Sequence, residues 1–502
     1  MKNIFLILII NIFCTQLFAQ QITYSQPEKG QVLSSLNFEI IGKIDNNYLV
    51  YKNIRSKNSI SVYDNNMKMV NEVVLTSMPE KTLNVDFIAF PDYAWLVYQY
   101  QQRNTVYCMA MKINGEGKLL SDPIELDTTT INFFADNKIY STIKSEDKNR
   151  IMIYKIQKKS DVFNFTTLLY DNQMELLHKT KIESRFEYRK NVFSDFFVTN
   201  TGDFVFTRGN RSNSRDYIQS LFLVTKAATQ DTFAEKSFDL HERYLDEIKL
   251  KVDNVNKHYI INSFYYNSKR GNAEGLYTAV LDETTNDLIS ENFAELGESI
   301  RAAAKSGRNS KIAFNDYFIR NVILKKDGGF LMTAEDFSTQ SRSNPWNRYD
   351  YLYGYPTLSP NFYNYYSPYS NGFYGNRYNN YGSVRYLYNY ILILSMDSTG
   401  KIEWSSVIPK SQFDDDNDNY LSYAEILTGG QVHFLFNNME RRKQILSDQS
   451  VTATGEVDRN PPLHNLDRGY EFMPRYAKQV SANQIIVPCT YRNYICFAKI
   501  DY

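Results

Sequence analysis

A recurring pattern of paired β-hairpins predicts an all-β β-propeller of about eight four-stranded blades, with seven the smaller count that the pattern admits. Three observations predict it. Hairpin turns built on Asn, Asp and Gly recur every ~40 to 60 residues between Phe38 and Tyr502, a period that fits one four-stranded sheet per repeat. The segments between turns are rich in β-branched and aromatic residues, with 40 Tyr and 32 Phe in 502 residues, as suits strands packed on both faces. The last unit ends one strand short, while a short alternating strand precedes the first.

At the N-terminus, residues 1–19 carry one charge at Lys2, an apolar run from Ile4 to Phe13, and a small Ala19 before Gln20 and Gln21. That order describes a secretory signal peptide, too short for a spanning helix. Cys14 is disfavoured as a lipid-attachment site, because Asn11, Ile12 and Phe13 before it are not the small residues such processing uses. Residues 20–502 are then expected to form a single propeller domain, since propellers grow by adding blades around one axis. No later stretch reaches the roughly 20 apolar residues of a membrane helix. The chain ends in blade strands without a separate sorting domain, so the expected location is the periplasm or the outer-membrane periphery, with secretion the alternative.

Charge narrows the partners. Lys and Arg number 56, as do Asp and Glu, and removing Lys2 leaves 55 against 56, a net charge of −1. Nucleic-acid binding needs a basic field to neutralise phosphates, and this chain lacks one.

Each unit opens with a tight hairpin whose turn tolerates positive φ. The eight turns are expected at Asp45-Asn46-Asn47, Pro91-Asp92, Asp136-Asn137, Thr201-Gly202-Asp203, Asn254-Val255-Asn256, Asp327-Gly328-Gly329, Gly429-Gly430 and Ala482-Asn483. A second hairpin follows at Asp64, Asn114, Asp171, Ala228, Asp282, Asp397 and Thr454 in units one to seven. The eighth unit stops after its third strand, around Ile495 to Ile500, and would leave an open sheet edge. The alternating segment Gln21 to Gln26 is expected to pair there and close the ring.

Two segments break the rhythm. The Ala-rich stretch from Leu296 to Ser306 reads as a short connector helix between units five and six. Residues 338–385 interrupt the sixth unit with Tyr, Asn, Ser, Pro, Gly and Arg, and fourteen tyrosines lie between Tyr349 and Tyr390. That composition has no strand or helix period and reads as a long loop projecting beyond one face. Its Trp346, Tyr349, Tyr351, Tyr353, Tyr355, Tyr363, Tyr365 and Tyr366 are candidate partner contacts, because aromatic side chains stack on sugars or anchor in protein pockets.

A metal reading attaches to residues 414–425. Asp414, Asp416, Asp418, Ser422 and Glu425 fill positions 1, 3, 5, 9 and 12 of a calcium loop, with the Tyr420 carbonyl at position 7. Asn419 stands where glycine is expected, and no helices flank the loop; the competing reading is an acidic connector between blades six and seven. Calcium is the one cofactor the sequence suggests. Cys489 and Cys496 flank the turn at Arg492-Asn493, which sets them opposite one another on adjacent strands, as a disulfide or as two buried thiols. Cys108 is expected to be a core thiol.

Enzyme signatures are missing. The five histidines, His178, His241, His258, His433 and His464, are scattered, and there is no zinc-helix motif, nucleophile elbow or phosphate loop. Acids assembled from different blades would leave no linear trace.

The segment from Ser395 to Trp404, with Asp397, Gly400-Lys401 and Trp404, resembles the repeat of quinoprotein-like propellers, in which the Gly and Trp dock one blade on its neighbour. The leader ending in Leu17-Phe18-Ala19-Gln20, the Tyr/Asn-rich blades and the stretch from Tyr390 to Asn438 resemble exported propeller proteins of Bacteroidota, a family that implies no particular activity. The function expected is a non-catalytic binding or scaffolding propeller that contacts a protein or glycan at the cell envelope. The alternative is a carbohydrate-active hydrolase or lyase with acids around the axis.

Overall fold

The computed structural model describes residues 20–28, 36–131, 138–187, 190–213, 216–269, 271–304, 310–341, 346–348, 352, 384–415, 417–440, 443–460 and 469–502. Its strands form eight successive antiparallel groups, blades one to eight. The innermost strands are Leu36–Ile44, Thr82–Ala89, Ser141–Lys144, Asn191–Val198, Lys249–Asp253, Tyr317–Leu324, Tyr423–Thr428 and Lys478–Ser481. In blades one to seven the next three strands follow in chain order. Blades four and five also share a short strand, Tyr244–Leu245, which pairs with Ile218 on one side and with Tyr265 and Tyr266 on the other.

The eighth blade takes its outermost strand from the other end of the chain. Gln21–Tyr24 pairs antiparallel with Tyr494–Asp501, Gln21 opposite Asp501 and Tyr24 opposite Ala498. Ser25 N–H then donates to the Phe497 carbonyl at 2.8 Å and Glu28 N–H to the Ile495 carbonyl at 3.0 Å. The edge left open by the chain's end is thus filled. Glu28 continues into blade one, where its carboxylate pairs with the amine of Lys52, a side chain with no solvent exposure, and accepts from the Tyr63 hydroxyl.

Turn chemistry accounts for the register. Asp45 and Asn493 hold φ of 52° and 66° in two of the hairpins, a left-handed conformation that Asn and Asp adopt more readily than most residues. Seven of the eight expected inner turns are in place. Blade three differs. Residues 132–137, with the turn expected at Asp136-Asn137, lie outside the described residues, and the inner hairpin turns instead at 145–149, between Ser141–Lys144 and Arg150–Lys159. There Asp147 accepts from the Ser145 hydroxyl at 2.6 Å and from Asn149 N–H at 3.0 Å, closing the turn through side chains. The connector helix spans Glu298–Ala303, and its Arg301 donates to the carbonyls of Leu296, Ala273 and Glu274.

Aromatic packing fills the spaces between blades. Phe163, Phe165, Phe193, Phe196, Phe204 and Phe206 form one cluster between blades three and four. Phe38 meets Phe497 edge-on at 5.5 Å between blades one and eight. The motif from Ser395 to Trp404 docks in both directions: Asn292 of blade five donates to the Gly400 carbonyl at 2.9 Å, and the Trp404 indole donates to Ala453 of blade seven at 3.0 Å.

Candidate functional site at the axis

Strands buried by a neighbour on either side read as apolar runs, yet each innermost strand here carries a polar residue a few positions before its hairpin turn. These are Glu39, Asp86, Lys144, Asp195, Lys251, Asn321, Glu425 and Lys478, one from each blade in order. Several meet partners on blades that are not adjacent. Asn254 of blade five donates to Glu146 of blade three at 2.9 Å, past blade four. Lys144 of blade three lies within electrostatic reach of Glu39 on blade one and Lys478 on blade eight. Glu146 of blade three and Glu425 of blade seven both act electrostatically on Lys251 of blade five, against the burial that lowers it. The Asn254 to Glu146 hydrogen bond brings the inner turns of blades three and five together past blade four.

The basic side of this centre is built by blades three and eight. Lys478 donates to the Ile40 carbonyl at 2.9 Å and Lys148, in the hairpin turn of blade three, to the Ala89 carbonyl at 2.6 Å. Among the described residues the side-chain amines of Lys144 and Lys251 make no hydrogen bond, while their backbones pair with Ile151 and Ile260. Burial, with Lys478 and Lys148 repelling it, brings the Lys144 amine down to about 8, yet the residue is exposed to solvent, which screens these charges. Burial also lowers Lys478; Glu39 opposes that shift and Lys148 adds to it. Hydrogen bonds between inner turns hold this end of the axis: Asp147 N–H to Asn200, Asn200 N–H to Asn254, and Asp45 N–H to the Pro91 carbonyl.

Two axial carboxyls are held above the usual range. Burial raises Glu425, against hydrogen bonds from Thr333 at 2.6 Å and Asn321 at 2.7 Å. Burial raises Asp195, against Lys249, and Asp195 accepts from Leu250 N–H at 2.7 Å. Behind Glu425 sits the fully buried Glu335, which burial would raise but Lys410 and Arg320 hold below the usual range. Glu335 bridges blades six and seven and also accepts from Ser422 at 2.8 Å.

At the opposite end of the axis the insertion leaves blade six after Ser341 and returns at Val384, so Ser338 to Ser341 and Val384 and Arg385, expected in the loop, are paired strand residues. The described residues past Ser341 are clamped. Trp346 is half-buried, donates to Asp316 at 2.8 Å, and packs edge-on against Phe318 and Phe337 at 6.3 and 5.2 Å. Arg348, buried, donates to Asp246 at 2.6 Å, with its guanidinium 4.0 Å from the Phe318 ring centre. Asp246 accepts from Tyr266 as well, and Leu352 is buried in the cluster of Phe318, Phe337 and Tyr388. Tyr349, Tyr351, Tyr353, Tyr355, Tyr363, Tyr365 and Tyr366 lie outside the described residues.

The residues of the acidic loop turn to separate partners. Asp414 accepts from Asn417 N–H, Asp418 pairs with Arg475 and accepts from Tyr388, and the Tyr420 hydroxyl faces Thr490. Ser422 serves Glu335, Glu425 faces the axis, and Asp416 lies outside the described residues. Among the described residues no group of three or more His, Cys, Asp or Glu side chains is placed to hold a metal ion. Cys489 and Cys496 are directly opposed in register, as two thiols with Sγ atoms 3.0 Å apart. His178 contacts Asp231, and His433 contacts Asp448.

The axial lysines were not singled out from the sequence. A signal existed: a charged residue shortly before a first-hairpin turn, in a strand that should be apolar on both faces.

No protein-family model and no curated protein matches the chain. Among solved structures, a prolyl endopeptidase aligns over 92% of this chain and 55% of its own length, with a TM-score of 0.42 and 8% identity. Prolyl oligopeptidase B from Galerina marginata aligns over 91% and 55%, with a TM-score of 0.41 and 8% identity. The chain thus spans about half the length of these enzymes. A polysaccharide lyase aligns over 83% of this chain and 89% of its own, with a TM-score of 0.38 and 10% identity. Similarity at this level carries no functional argument.

Proposed function

We propose that this chain is an exported, non-catalytic binding propeller that holds a protein or glycan partner at the cell envelope. The observation that supports the reading most is the clamped root of the tyrosine-rich insertion, where Trp346, Arg348 and Leu352 are locked onto blades five and six. A rigid root of this kind fixes where the insertion starts, and fixing a binding element in advance lowers the entropic cost of binding. Among the described residues no helix is long and apolar enough to cross a membrane. The intended location is the periplasm or the outer-membrane periphery, with calcium at residues 414–425 as a further proposal. The test is capture from envelope extracts of the source cell with the mature chain and with a form in which residues 353–383 are replaced by a short Gly/Ser linker. Loss of the captured partners on loop replacement supports the reading; an unchanged set removes the insertion from it.

The raised carboxyl of Glu425 at the axis favours a second reading, a carbohydrate-active hydrolase or lyase. Release of reducing ends or unsaturated uronates from polysaccharides, abolished in Glu425→Gln, would establish it in place of the first.

A further inference from the structure

The final hairpin carries two cysteines that face each other across its strands. Arg492 and Asn493 hold φ of 51° and 66°, the paired left-handed residues of a two-residue turn, so Tyr491 and Tyr494 close the hairpin as a hydrogen-bonded pair. Cys489 and Cys496 are opposed two residues further along each strand, again at a hydrogen-bonded position. The outward carbonyls agree: Ile495 and Phe497, on either side of Cys496, accept from Glu28 and Ser25 N–H, which leaves the backbone of Cys496 facing Cys489. Pairs of this kind hold their Cα atoms about 5.5 Å apart, within the span of a disulfide. The Sγ atoms are 3.0 Å apart, and neither residue is exposed to solvent. Cys108 packs in a separate cluster between blades two and three, so the pairing has one solution.

The pair sits where the ring is closed. Cys496 lies in the strand that receives the N-terminal segment, and Cys489 in the strand behind it, which pairs with Phe472 and whose Pro488 carbonyl accepts from Met473 N–H at 2.8 Å. A bond between the two sulfurs would fasten the receiving strand to the body of blade eight.

We propose that Cys489 and Cys496 are a redox modification site, at which the exported chain acquires a disulfide while it folds, and that this bond staples the ring-closing hairpin. The reaction is thiol–disulfide exchange with a disulfide-bearing oxidant, either a protein dithiol oxidant or oxidised glutathione. One cysteine thiolate attacks a sulfur of the oxidant, forming a mixed disulfide while the oxidant's other sulfur leaves as a thiol. The second cysteine thiolate then attacks the first cysteine's sulfur, and the remaining oxidant sulfur leaves as a thiol. The two cysteines give up two electrons and two protons, and the oxidant takes them. Because both sulfurs are sealed from solvent in the fold, exchange belongs to the folding chain, and the finished bond is shielded from reductants. The inference shares only export with the binding reading above, and the insertion plays no part in it.

The experiment refolds the chain from Gln20 onward out of denaturant, once in reductant and once in a buffer of reduced and oxidised glutathione, and counts thiols by alkylation in denaturant with mass spectrometry. Protein refolded in reductant should alkylate at Cys108, Cys489 and Cys496. Protein refolded in the glutathione buffer should alkylate at Cys108 alone, weigh two hydrogens less before alkylation, and yield peptides joined through Cys489 and Cys496. It should also melt a few degrees higher than the reduced form, because the link constrains the unfolded chain. Reduced protein that is already folded should keep all its thiols in the same buffer. The thiol count needs no variant; Cys489→Ser with Cys496→Ser, where it folds, should melt identically in both buffers. Native protein from the glutathione buffer that still alkylates at Cys489 and Cys496, or that carries a glutathione adduct at either, would overturn the proposal. So would a chain that regains its fold in reductant and fails to in the glutathione buffer. An oxidised form that melts lower than the reduced one would overturn the stapling role. Partner capture that fails on its own account, with the disulfide formed as described, would sink the binding reading and leave this inference standing.

Discussion

The carboxylate of Glu28, in the N-terminal segment, is the counter-ion of Lys52, whose side chain has no solvent exposure inside blade one. Strand pairing joins Gln21–Tyr24 to blade eight, and this ion pair joins the following Glu28 to blade one, so a single short segment ties the last blade to the first. Burial works against the charge of Lys52 and Glu28 opposes that cost. Glu28→Ala should therefore strand a buried ammonium and destabilise the fold by about 3–5 kcal/mol. Adding Lys52→Met should recover much of the loss, because a well-packed apolar side chain replaces the charge. Urea unfolding of the single and double variants checks this; equal midpoints for wild type and Glu28→Ala would refute it.

The pH dependence of stability should report the axial lysines. Burial, then repulsion from Lys478 and Lys148 against the pull of Glu39, brings the Lys144 amine down to about 8 in the fold from 10.5 in the open chain, and the exposure of the residue keeps the effect small. Between those values the unfolded chain binds more protons, so the contribution of this group to stability rises with pH across that window. Below it the penalty of holding the charged form is fully present. Lys144→Gln should melt higher than wild type near pH 7, and the difference should shrink as pH approaches about 10. Parallel melting profiles across that range would contradict the shift.

Blade docking through Gly400 gives a steric prediction. Its φ is +77°, and an added Cβ would stand 2.5 Å from Cγ2 of Thr278 on blade five. Gly400→Ala should cost about 1–3 kcal/mol from overpacking and backbone strain together. Thr278→Ser in the same chain removes the Cγ2 clash but keeps Cβ at 2.9 Å, so it should return part of the steric share and leave the backbone share, which a double-mutant cycle in denaturant measures.

Cys108, Cys489 and Cys496 are fully buried, and burial holds the Cys108 and Cys489 thiols well above the ordinary cysteine range. Reactivity follows the thiolate and its exposure, so alkylation by iodoacetamide at pH 8 should be negligible in the native protein and complete in denaturant. Rapid native labelling of any of the three would show that the final hairpin or blade two opens readily.

Much of the scaffold was legible because its punctuation is chemical. Turns that need positive φ select Asp, Asn and Gly, so the hairpins at Asp45, Gly202 and Gly430 announce themselves, as does an unpaired edge at Tyr494–Asp501 that calls for the strand Gln21–Tyr24. The inner hairpin of blade three escaped because its first strand, Ser141–Lys144, is only four residues long and its turn is held by Ser145 and Asp147 rather than by glycine. The axial cluster was harder still. Lys144 and Lys478 belong to blades far apart in the chain, and only the way the blades face one centre brings them together. The same holds for Arg348 and Asp246, whose ion pair roots the insertion: one residue sits in a low-complexity tract and the other in an unremarkable connector.

The claim beneath all of this is that charges from non-adjacent blades meet across one centre. Lys144→Cys with Lys478→Cys in the chain from Gln20 onward, treated with a short bis-maleimide, tests it directly while the three native thiols stay buried. The account predicts an intramolecular link between peptides of blades three and eight in the folded protein, detected by mass spectrometry and lost when the chain is denatured before treatment. A folded double variant that labels at both sites yet never links would contradict it.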